Sequence, residues 1–373
     1  MESNDLINSD LGQQLECEFS KIKNEIQKPN VLIAGGTGVG KSSLINHIFG
    51  NYTAVTGTGR PVTQHIDVYE REDVDVRIFD SKGYEIQVKE NDEFLKTITN
   101  LAQATNAPEN AIHLVWYCIS CAGGRVQDYD LMSIQAFRQE NIPVVAVLTK
   151  ADLPSDEEVQ QLKSVLPTGI AAFEVSTYNP DFDYTDDLIA YSVKLLPESL
   201  RFAFLKSQII NLEEKWNEAH RLIKQHTVGS FAIGFTPIPM ADAPILVANE
   251  MALLARILHL YNLGDAKSAL ETAGISTLMG SLLSSGGRAV VGALLKLVPG
   301  VGTIVGGLIN GTVGAAITAA FGEATSKVAY DVSEKRLQGV DVSNLMGNFG
   351  NSVLDLSKIY FQSKKSIDDY TIE

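Results

Sequence analysis

One glycine-rich segment combines residue types that are suited to chemistry on phosphates. In VLIAGGTGVGKSSL, Gly35, Gly40, Lys41 and Ser42 satisfy the pattern G-x-x-x-x-G-K-[S/T] between an apolar strand pattern and a helical pattern. Glycines let the backbone N–H groups turn toward phosphate oxygens, and the positive end of the next helix lies behind them. The predicted phosphate-binding residues are Gly35, Gly36, Thr37, Gly38, Val39, Gly40, Lys41, Ser42 and Ser43.

Three further segments supply the groups that a bound Mg²⁺ and a γ phosphate require. Asp80 and Gly83, in IFDSKG, stand at a strand end, where the carboxylate can hold the Mg²⁺ water shell and the Gly83 N–H can sense the γ phosphate. Thr63, in RPVTQH, is placed in the loop before the second strand. The predicted metal ligands are therefore Ser42, Thr63 and Asp80, and the predicted catalytic residues are Lys41, Thr63 and Gly83.

Two later segments indicate which base is bound. Thr149, Lys150 and Asp152, in LTKAD, follow an apolar strand, and an aspartate there accepts two hydrogen bonds from guanine N1–H and its amino group. Adenine lacks this pair of donors. Ser176 and Thr177, in FEVST, are small polar residues that allow a backbone N–H to meet the guanine carbonyl oxygen. The ordered set predicts that GTP or GDP binds together with Mg²⁺.

The elements that must position these residues alternate between strand and helix patterns. Apolar runs alternating with helical patterns predict βαβ units and a mostly parallel sheet, here of six strands. The runs cover residues 31–34, 65–69, 74–79, 112–119, 143–148 and 170–175. The predicted fold class is an α/β P-loop domain followed by an all-α, glycine-rich domain.

Composition divides the chain into four segments. Residues 1–29 are predicted to contain an amphipathic helix, 30–198 the nucleotide-binding domain, 199–226 a connecting helix, and 227–373 a helical domain. Residues 227–330 hold 15 of the 30 glycines and only ten charged residues. This abrupt change of composition marks a second domain.

The glycine-rich domain leaves two interpretations open. Leu297 to Gly322 is a run of 26 residues without a charge, long enough as a helix to cross a bilayer. Its G-x-x-x-G spacings suit close helix packing in lipid and equally in a soluble bundle. Residues 227–330 therefore predict either contact with membrane lipid or a soluble helical bundle.

Charge and cysteine content limit the partners and the compartment. Thirty Lys and Arg against 45 Asp and Glu give 30 − 45 = −15, which argues against binding of nucleic acid. The N-terminus MESNDLINSD shows no signal-peptide pattern, and three cysteines are too few for a disulfide framework. Cys118 and Cys121 form a C-x-x-C pattern inside a buried strand, where core packing is the favoured interpretation. A cytoplasmic location is expected, with attachment to the inner face of the cell membrane left open.

The motifs together resemble a known family. Residues 30–198 are similar to the Era-like branch of bacterial GTPases, the TrmE, Era and septin group, on the motifs Gly35–Ser42, Thr63, Asp80–Gly83 and Thr149–Asp152. GRPVTQHI, DSKGYE and VWYCI resemble a narrower set whose hydrophobic C-terminal domain is related to the membrane protein YcjF. FAIGFTPIPMADAPILVANEMALLARI and LVPGVGTIVGGLINGTVGAAITAAFG carry that resemblance in the C-terminal half.

Two departures from the family pattern bear on the reaction rate. Tyr84 follows Gly83 where Ras-like enzymes place a water-orienting glutamine, so slow hydrolysis is expected. Gly38 replaces the asparagine of potassium-activated members, which argues against potassium stimulation. Arg60 is interpreted as a solvated loop arginine rather than as a charge-stabilising finger.

Three functions therefore compete. The first is slow GTP hydrolysis with a nucleotide-dependent switch that acts on the helical domain. The second is a nucleotide-gated interaction module with negligible hydrolysis, and the third is a structural or pore-like membrane protein regulated by its nucleotide-binding domain. Homodimer formation through either domain is compatible with all three.

Overall fold

The computed structural model describes residues 2–50, 60–63, 66–71, 74–81, 111–233, 242–264 and 306–362. The strands within these ranges are β1 (Asn30–Ala34), β2 (Arg60–Thr63), β3 (Ile66–Arg71), β4 (Val74–Ser81), β5 (Leu114–Ser120), β6 (Val144–Thr149) and β7 (Ala171–Val175). The helices are α1 (Glu2–Glu25), α2 (Lys41–Phe49), α3 (Asp128–Gln139), α4 (Asp156–Val165), α5 (Thr185–Leu195), α6 (Glu198–Ser207), α7 (Leu212–Ile233), α8 (Asp242–Leu260), α9 (Gly306–Leu337), α10 (Ser343–Gly347) and α11 (Phe349–Gln362).

The chain divides into two compact units. One unit, called the sheet unit, comprises Ile26–Asn211, and the other, called the helical unit, comprises Met1–Glu25 together with Leu212–Glu373. Helix α1 thus groups with the C-terminal helices, although the sequence presented it as a separate segment.

The sheet unit contains one sheet with strand order β2-β3-β4-β1-β5-β6-β7. Strands β4, β1, β5, β6 and β7 run parallel, whereas β2 and β3 are antiparallel at one edge. All six predicted strands are present, which confirms the mostly parallel α/β fold, and β2 is a seventh. Carboxyl ends of parallel strands meet at one edge of a sheet, and there the loops that bind ligands collect.

The position of Thr63 corrects one prediction. Sequence patterns placed this residue in a loop, but it ends β2 and pairs with Ile66 of β3. Pro61 lies in the same strand, and a proline is tolerated there because β2 is an edge strand of the sheet.

Helices cover both faces of the sheet. Strands β1 and β6 are buried along their whole length, as expected for parallel strands covered on both sides. On one face, the core cluster includes Ile134 and Phe137 of α3 with Val159 and Leu162 of α4. On the other face, the Trp116 ring lies 5.9 Å from that of Phe49 in α2 and 6.0 Å from that of Phe204 in α6.

The predicted connecting helix over 199–226 is in fact two helices, α6 and α7. Between them, the Gln208 side chain accepts hydrogen bonds from the N–H groups of Ile210 (2.9 Å) and Asn211 (2.8 Å) and donates one to Asn211 O (2.8 Å). A side chain that bonds its own neighbouring backbone competes with the helical ladder. This turn interrupts the segment that the sequence predicted as one helix.

The described part of the second unit is helical, as predicted. Helix α9 packs against α7, α8 and α11, and α1 packs against α8. The Phe19 ring of α1 meets His259 of α8 edge-on, with ring centres 6.1 Å apart. Of the uncharged run Leu297 to Gly322, only the part from Gly306 onward, in α9, lies within the described residues. Among the described helices, none combines the length and the apolar character needed to cross a membrane.

Candidate nucleotide-binding site

The glycine-rich loop connects β1 to α2, and its shape depends on glycine. Gly35, Gly38 and Gly40 have φ angles of 132°, 72° and 108°, which side chains rarely permit. A Cβ atom on Gly35 would lie 2.2 Å from Cys118 O of β5, so the loop also passes too close to that strand for any side chain. The sequence motif therefore corresponds to a real backbone requirement at this turn.

Lys41 begins α2 and is held inside the loop. Its side chain is buried, and Nζ donates hydrogen bonds to Gly35 O (3.1 Å) and Gly36 O (2.9 Å). The ammonium group thus adds its charge to the positive N-terminal end of a nine-residue helix. This combination suits an anion such as a polyphosphate.

A cavity of about 510 Å³ opens at this end of the sheet, within the volume range of ordinary ligand pockets. It collects residues from the glycine-rich loop and the start of α2, from the carboxyl ends of β4, β6 and β7, and from the loops that follow β6 and β7. Its lining residues are Thr37, Gly38, Gly40, Lys41, Ser42, Ser43, Leu44, Asp80, Thr149, Lys150, Val175, Thr177 and Tyr178. Ten of these thirteen residues belong to the set that the sequence predicted.

The loop after β6 is tied to the glycine-rich loop. Lys150 adopts a left-handed backbone with φ 56°, and its Nζ donates to Gly38 O at 2.8 Å. The Thr149 hydroxyl forms a hydrogen bond with Val39 O and lies 3.2 Å from Ile119 O. Asp152 follows in the same loop and is partly exposed, and it does not line the cavity. These contacts fix the spacing between the phosphate loop and the predicted base loop.

The loop after β7 is anchored at both ends. Ser176 is buried, and its Oγ accepts hydrogen bonds from the N–H groups of Tyr178 (3.2 Å) and Asn179 (3.0 Å). At the far end, Asp183 Oδ2 lies 2.7 Å from His47 Nε2 of α2. Burial opposes ionisation of Asp183, but the hydrogen bonds from His47 and Thr185 outweigh it and lower the pKa of this carboxyl. The Ser176 side chain thus shapes its own loop, while Thr177 reaches the cavity.

The predicted metal ligands are only partly brought together among the described residues. Ser42 and Asp80 both line the cavity, and Asp80 pairs with Ile33 of β1, next to the glycine-rich loop. The backbone of Thr63 lies in β2, whereas its side chain falls outside the description. Gly83 and Tyr84 lie outside the described residues. An alcohol and a carboxylate at one cavity edge are oxygen ligands that suit Mg²⁺.

Three lining residues were not predicted from the sequence: Leu44, Val175 and Tyr178. Val175 is the last residue of β7, so the rule that ligands bind at carboxyl ends of strands would have found it. Leu44 lies in the first turn of α2, where only its neighbours match the motif. Tyr178 stands two residues beyond Ser176 and carries no signal in the sequence.

The two cysteines of the C-x-x-C pattern are buried free thiols. Burial is the main cause that raises the pKa of Cys118 and of Cys121 to about 12. Both groups are therefore protonated near neutral pH and are poor nucleophiles. Their environment agrees with core packing beneath the glycine-rich loop.

Comparisons with known proteins show what parts of the chain are similar to. Residues 84–220 match the Septin family model. Septin-2 of Drosophila melanogaster is 26% identical over 202 residues, covering 48% of this chain and 47% of that protein. Magnetosome membrane protein 22 of Magnetospirillum gryphiswaldense is 31% identical over 105 residues, covering 28% of this chain and 53% of that protein. The chain spans about half the length of these curated relatives.

A probable GTP-binding protein, engB, is a similar solved structure, with 20% identity, a TM-score of 0.34, and coverage of 44% of this chain and 98% of that one. The match over residues 84–220, together with the glycine-rich loop that precedes it, makes this part of the chain similar to septin-type P-loop GTPase domains. The narrower resemblance to Era-like enzymes and to YcjF stays a prediction.

Proposed function

We propose that the chain binds GTP and GDP with Mg²⁺ in the cavity and hydrolyses GTP to GDP and phosphate slowly. The observation that carries this proposal is the convergence on one cavity of the glycine-rich loop, Asp80 and the loops after β6 and β7. Each loop alone is common in proteins. Their convergence around Lys41, at the carboxyl ends of parallel strands, matches what a nucleoside triphosphate needs.

The phosphate groups and the metal would lie at the β1 and β4 side of the cavity. Lys41 offers a buried ammonium group, and the N–H groups of the loop with its three positive-φ glycines can face phosphate oxygens. Ser42 and Asp80 are the described residues that would hold Mg²⁺, with Thr63 as the further proposed ligand. The ion, when bound, would neutralise charge that develops on the phosphates.

The base would lie at the β6 and β7 side. Asp152 is the proposed acceptor for the guanine N1–H and amino groups, and Ser176 and Thr177 place the backbone N–H groups that would meet the guanine carbonyl oxygen. The hydrogen bonds from Lys150 to Gly38 O and from Thr149 to Val39 O hold this side at a fixed distance from the phosphate loop.

Slow chemistry follows from the residue after Gly83. A tyrosine ring at position 84 cannot orient water through the two-point geometry of a glutamine amide, so the isolated chain lacks the usual positioning group. We also propose that the nucleotide state acts on the helical unit, since a switch needs an element that responds to it.

Phosphate release from GTP under single-turnover conditions tests the proposal. The native chain with Mg²⁺ is expected to release phosphate at a rate on the order of 10⁻³ per second or slower. Ser42→Ala removes a proposed Mg²⁺ ligand and should lower the rate at least about tenfold. Ser164→Ala, at an exposed position of α4, serves as the matched control and should leave the rate unchanged. GTP binding without Mg²⁺-dependent phosphate release would remove the hydrolytic part of the proposal.

A further inference from the structure

Tyr178 is a large aromatic residue that lines the cavity while remaining in solvent. Its side chain is 88% exposed, and it is among the residues that border the nucleotide cavity. Toward the other residues that the structure describes, its ring makes no aromatic contact and its hydroxyl no hydrogen bond. Tyrosine rings contribute most when one face is buried against a flat apolar partner. The Tyr178 ring at the cavity edge is therefore left largely uncovered.

The backbone that carries this ring is fixed before any ligand binds. The Tyr178 N–H donates to the buried hydroxyl of Ser176 at 3.2 Å, and the next N–H, from Asn179, donates to the same oxygen at 3.0 Å. Asn179 Oδ1 in turn accepts from the Asp181 N–H at 3.1 Å. Downstream, Asp183 is held to His47 of α2 at 2.7 Å. A ring on such an anchored loop loses little backbone freedom when it contacts a ligand.

The position of the ring within the cavity indicates which part of a nucleotide it meets. The phosphate end is fixed by Lys41 and the glycine-rich loop, so the base must extend toward the loops after β6 and β7. Lys150 occupies the β6 side, where its aliphatic stem reaches back to Gly38 O. Tyr178 borders the same cavity from the β7 side. Every purine offers a flat π face, and stacking on an aromatic side chain is a favourable way to cover it.

We propose that the Tyr178 ring stacks on the purine base of the bound nucleotide and is a further base-binding residue of this site. The inference rests on the proposed function, because it requires a nucleotide in the cavity. It assigns base affinity partly to stacking, independent of the hydrogen bonds that select guanine. An aromatic partner for the base also explains why a ring that is 88% exposed stands at this position.

Calorimetric titration of the full chain with GDP and Mg²⁺ tests the inference. Tyr178→Ala should weaken GDP binding by at least about fivefold, whereas Tyr178→Phe, which keeps the ring, should stay within about twofold of the native affinity. Inorganic pyrophosphate, which has no base, should bind both variants and the native chain with equal affinity. Tyr184→Ala removes a ring that is 47% exposed and does not line the cavity, and it is the matched control.

Fluorescence gives a second measurement that a merely structural role would not change. In Tyr178→Trp, a stacked guanine should quench the new indole in a saturable way as GDP is added, and Tyr184→Trp should show no such quenching. GDP binding by Tyr178→Ala within about twofold of native would overturn the inference, as would an equal loss of pyrophosphate affinity. Absence of GDP binding by the native chain would overturn the proposed function and this inference with it.

Discussion

Glu250 is a single carboxyl group enclosed by the helical unit. It is only 2% exposed on α8, and its Oε1 lies 2.5 Å from the Thr318 hydroxyl of α9. The hydroxyl of Thr318 is also 2.7 Å from Ser230 Oγ of α7, so a polar seam links three helices. Burial raises the pKa of Glu250 to about 8, an effect that the Thr318 hydrogen bond only partly offsets. The carboxyl is therefore neutral in the folded protein at pH 7.

Glu250 makes the stability of the helical unit depend on pH. Between the ordinary glutamate pKa of 4.5 and the folded pKa of about 8, the unfolded chain loses the proton while the folded chain keeps it. The contribution of the protonated Glu250 carboxyl to the stability of the helical unit is thus complete below pH 4.5 and is lost as pH rises toward 8. Glu250→Gln cannot ionise, so it should exceed the native stability at pH 8 by on the order of 4 kcal/mol and match it at pH 4.5.

Urea unfolding measures this difference. The fluorescence of Trp216 follows the unfolding, and Trp116 is replaced by Phe in every variant so that Trp216 alone is observed. Glu334 is an exposed residue of α9 and provides the control, because Glu334→Gln should show the native pH dependence. A parallel fall in stability for native and Glu250→Gln between pH 4.5 and 8 would show that another group titrates there.

At the residue scale, the sequence predicted those cavity residues that belong to a motif, where the binding of phosphate would require a particular side chain or a glycine backbone. Lys41, Ser42 and Asp80 line one cavity, and their types are those that binding of phosphate and Mg²⁺ would require. Tyr178 and Glu250 could not be predicted in this way. The position of Tyr178 depends on how the loop after β7 is anchored, and the burial of Glu250 depends on the helices that pack around it. Neither produces a recognisable pattern of residue types in the sequence.

Helix α9 approaches its neighbours through glycine. A Cβ atom on Gly322 would lie 2.7 Å from Ile223 Cγ1 of α7 and 3.0 Å from Leu253 Cδ2 of α8. Gly322 therefore allows close helix packing inside the bundle at this position. The sequence left two interpretations open, lipid contact and a helical bundle. Within the described residues, packing in a bundle accounts for Gly322.

Two glycine substitutions of opposite expected effect test the packing. Gly322→Ala should lower the free energy of unfolding of the helical unit by about 1–2 kcal/mol, since the clash exceeds the gain in helix propensity. A Cβ atom on Gly229, near the C-terminal end of α7, would meet no atom within 4 Å, so Gly229→Ala should instead stabilise by up to about 1 kcal/mol. The same Trp216 fluorescence measurement reports both. If the two alanines change stability in the same direction, close packing at Gly322 is not the reason for this glycine.

Elements were predictable where hydrophobic periodicity alone decides them. The six predicted strands are present because parallel strands buried on both faces give continuous apolar runs. The break between α6 and α7 was missed because it comes from the bonds of the Gln208 side chain to Ile210 and Asn211, which leave the apolar spacing intact. Strand β2 was missed because it forms only through pairing with β3.

The chain passes between its two units twice, once after Glu25 and once at the turn of residues 208–211. Within the sheet unit, the Ile209 N–H donates to Ile48 O of α2 at 2.9 Å, and Asn211 Nδ2 donates to Asp186 O at 3.0 Å. The turn is thus hydrogen-bonded to the helix whose first residue is Lys41. A movement of α2 on nucleotide exchange would reach the start of α7 through this contact.

Hydrogen exchange in the GTP-analogue and GDP states tests whether the units are coupled. The proposed switch predicts different exchange rates in α7 for the two states, in addition to differences in the sheet unit. Gln208→Ala removes the side chain that shapes the turn and should abolish the difference in α7, while GDP affinity stays within about twofold. Gln161→Ala, at an exposed position of α4, is the control. Nucleotide-dependent differences confined to the sheet unit would make the helical unit a passive partner.

Calorimetric comparison of GDP, ADP and XDP in the presence of Mg²⁺ tests the central claim, that this cavity binds guanine nucleotides. We expect the native chain to prefer GDP over ADP by at least about a hundredfold, because Asp152 accepts two hydrogen bonds that adenine cannot donate. Asp152→Asn should transfer the preference from GDP to XDP, since its amide donates where the carboxylate accepted. Equal affinity of the native chain for GDP and ADP would contradict the account.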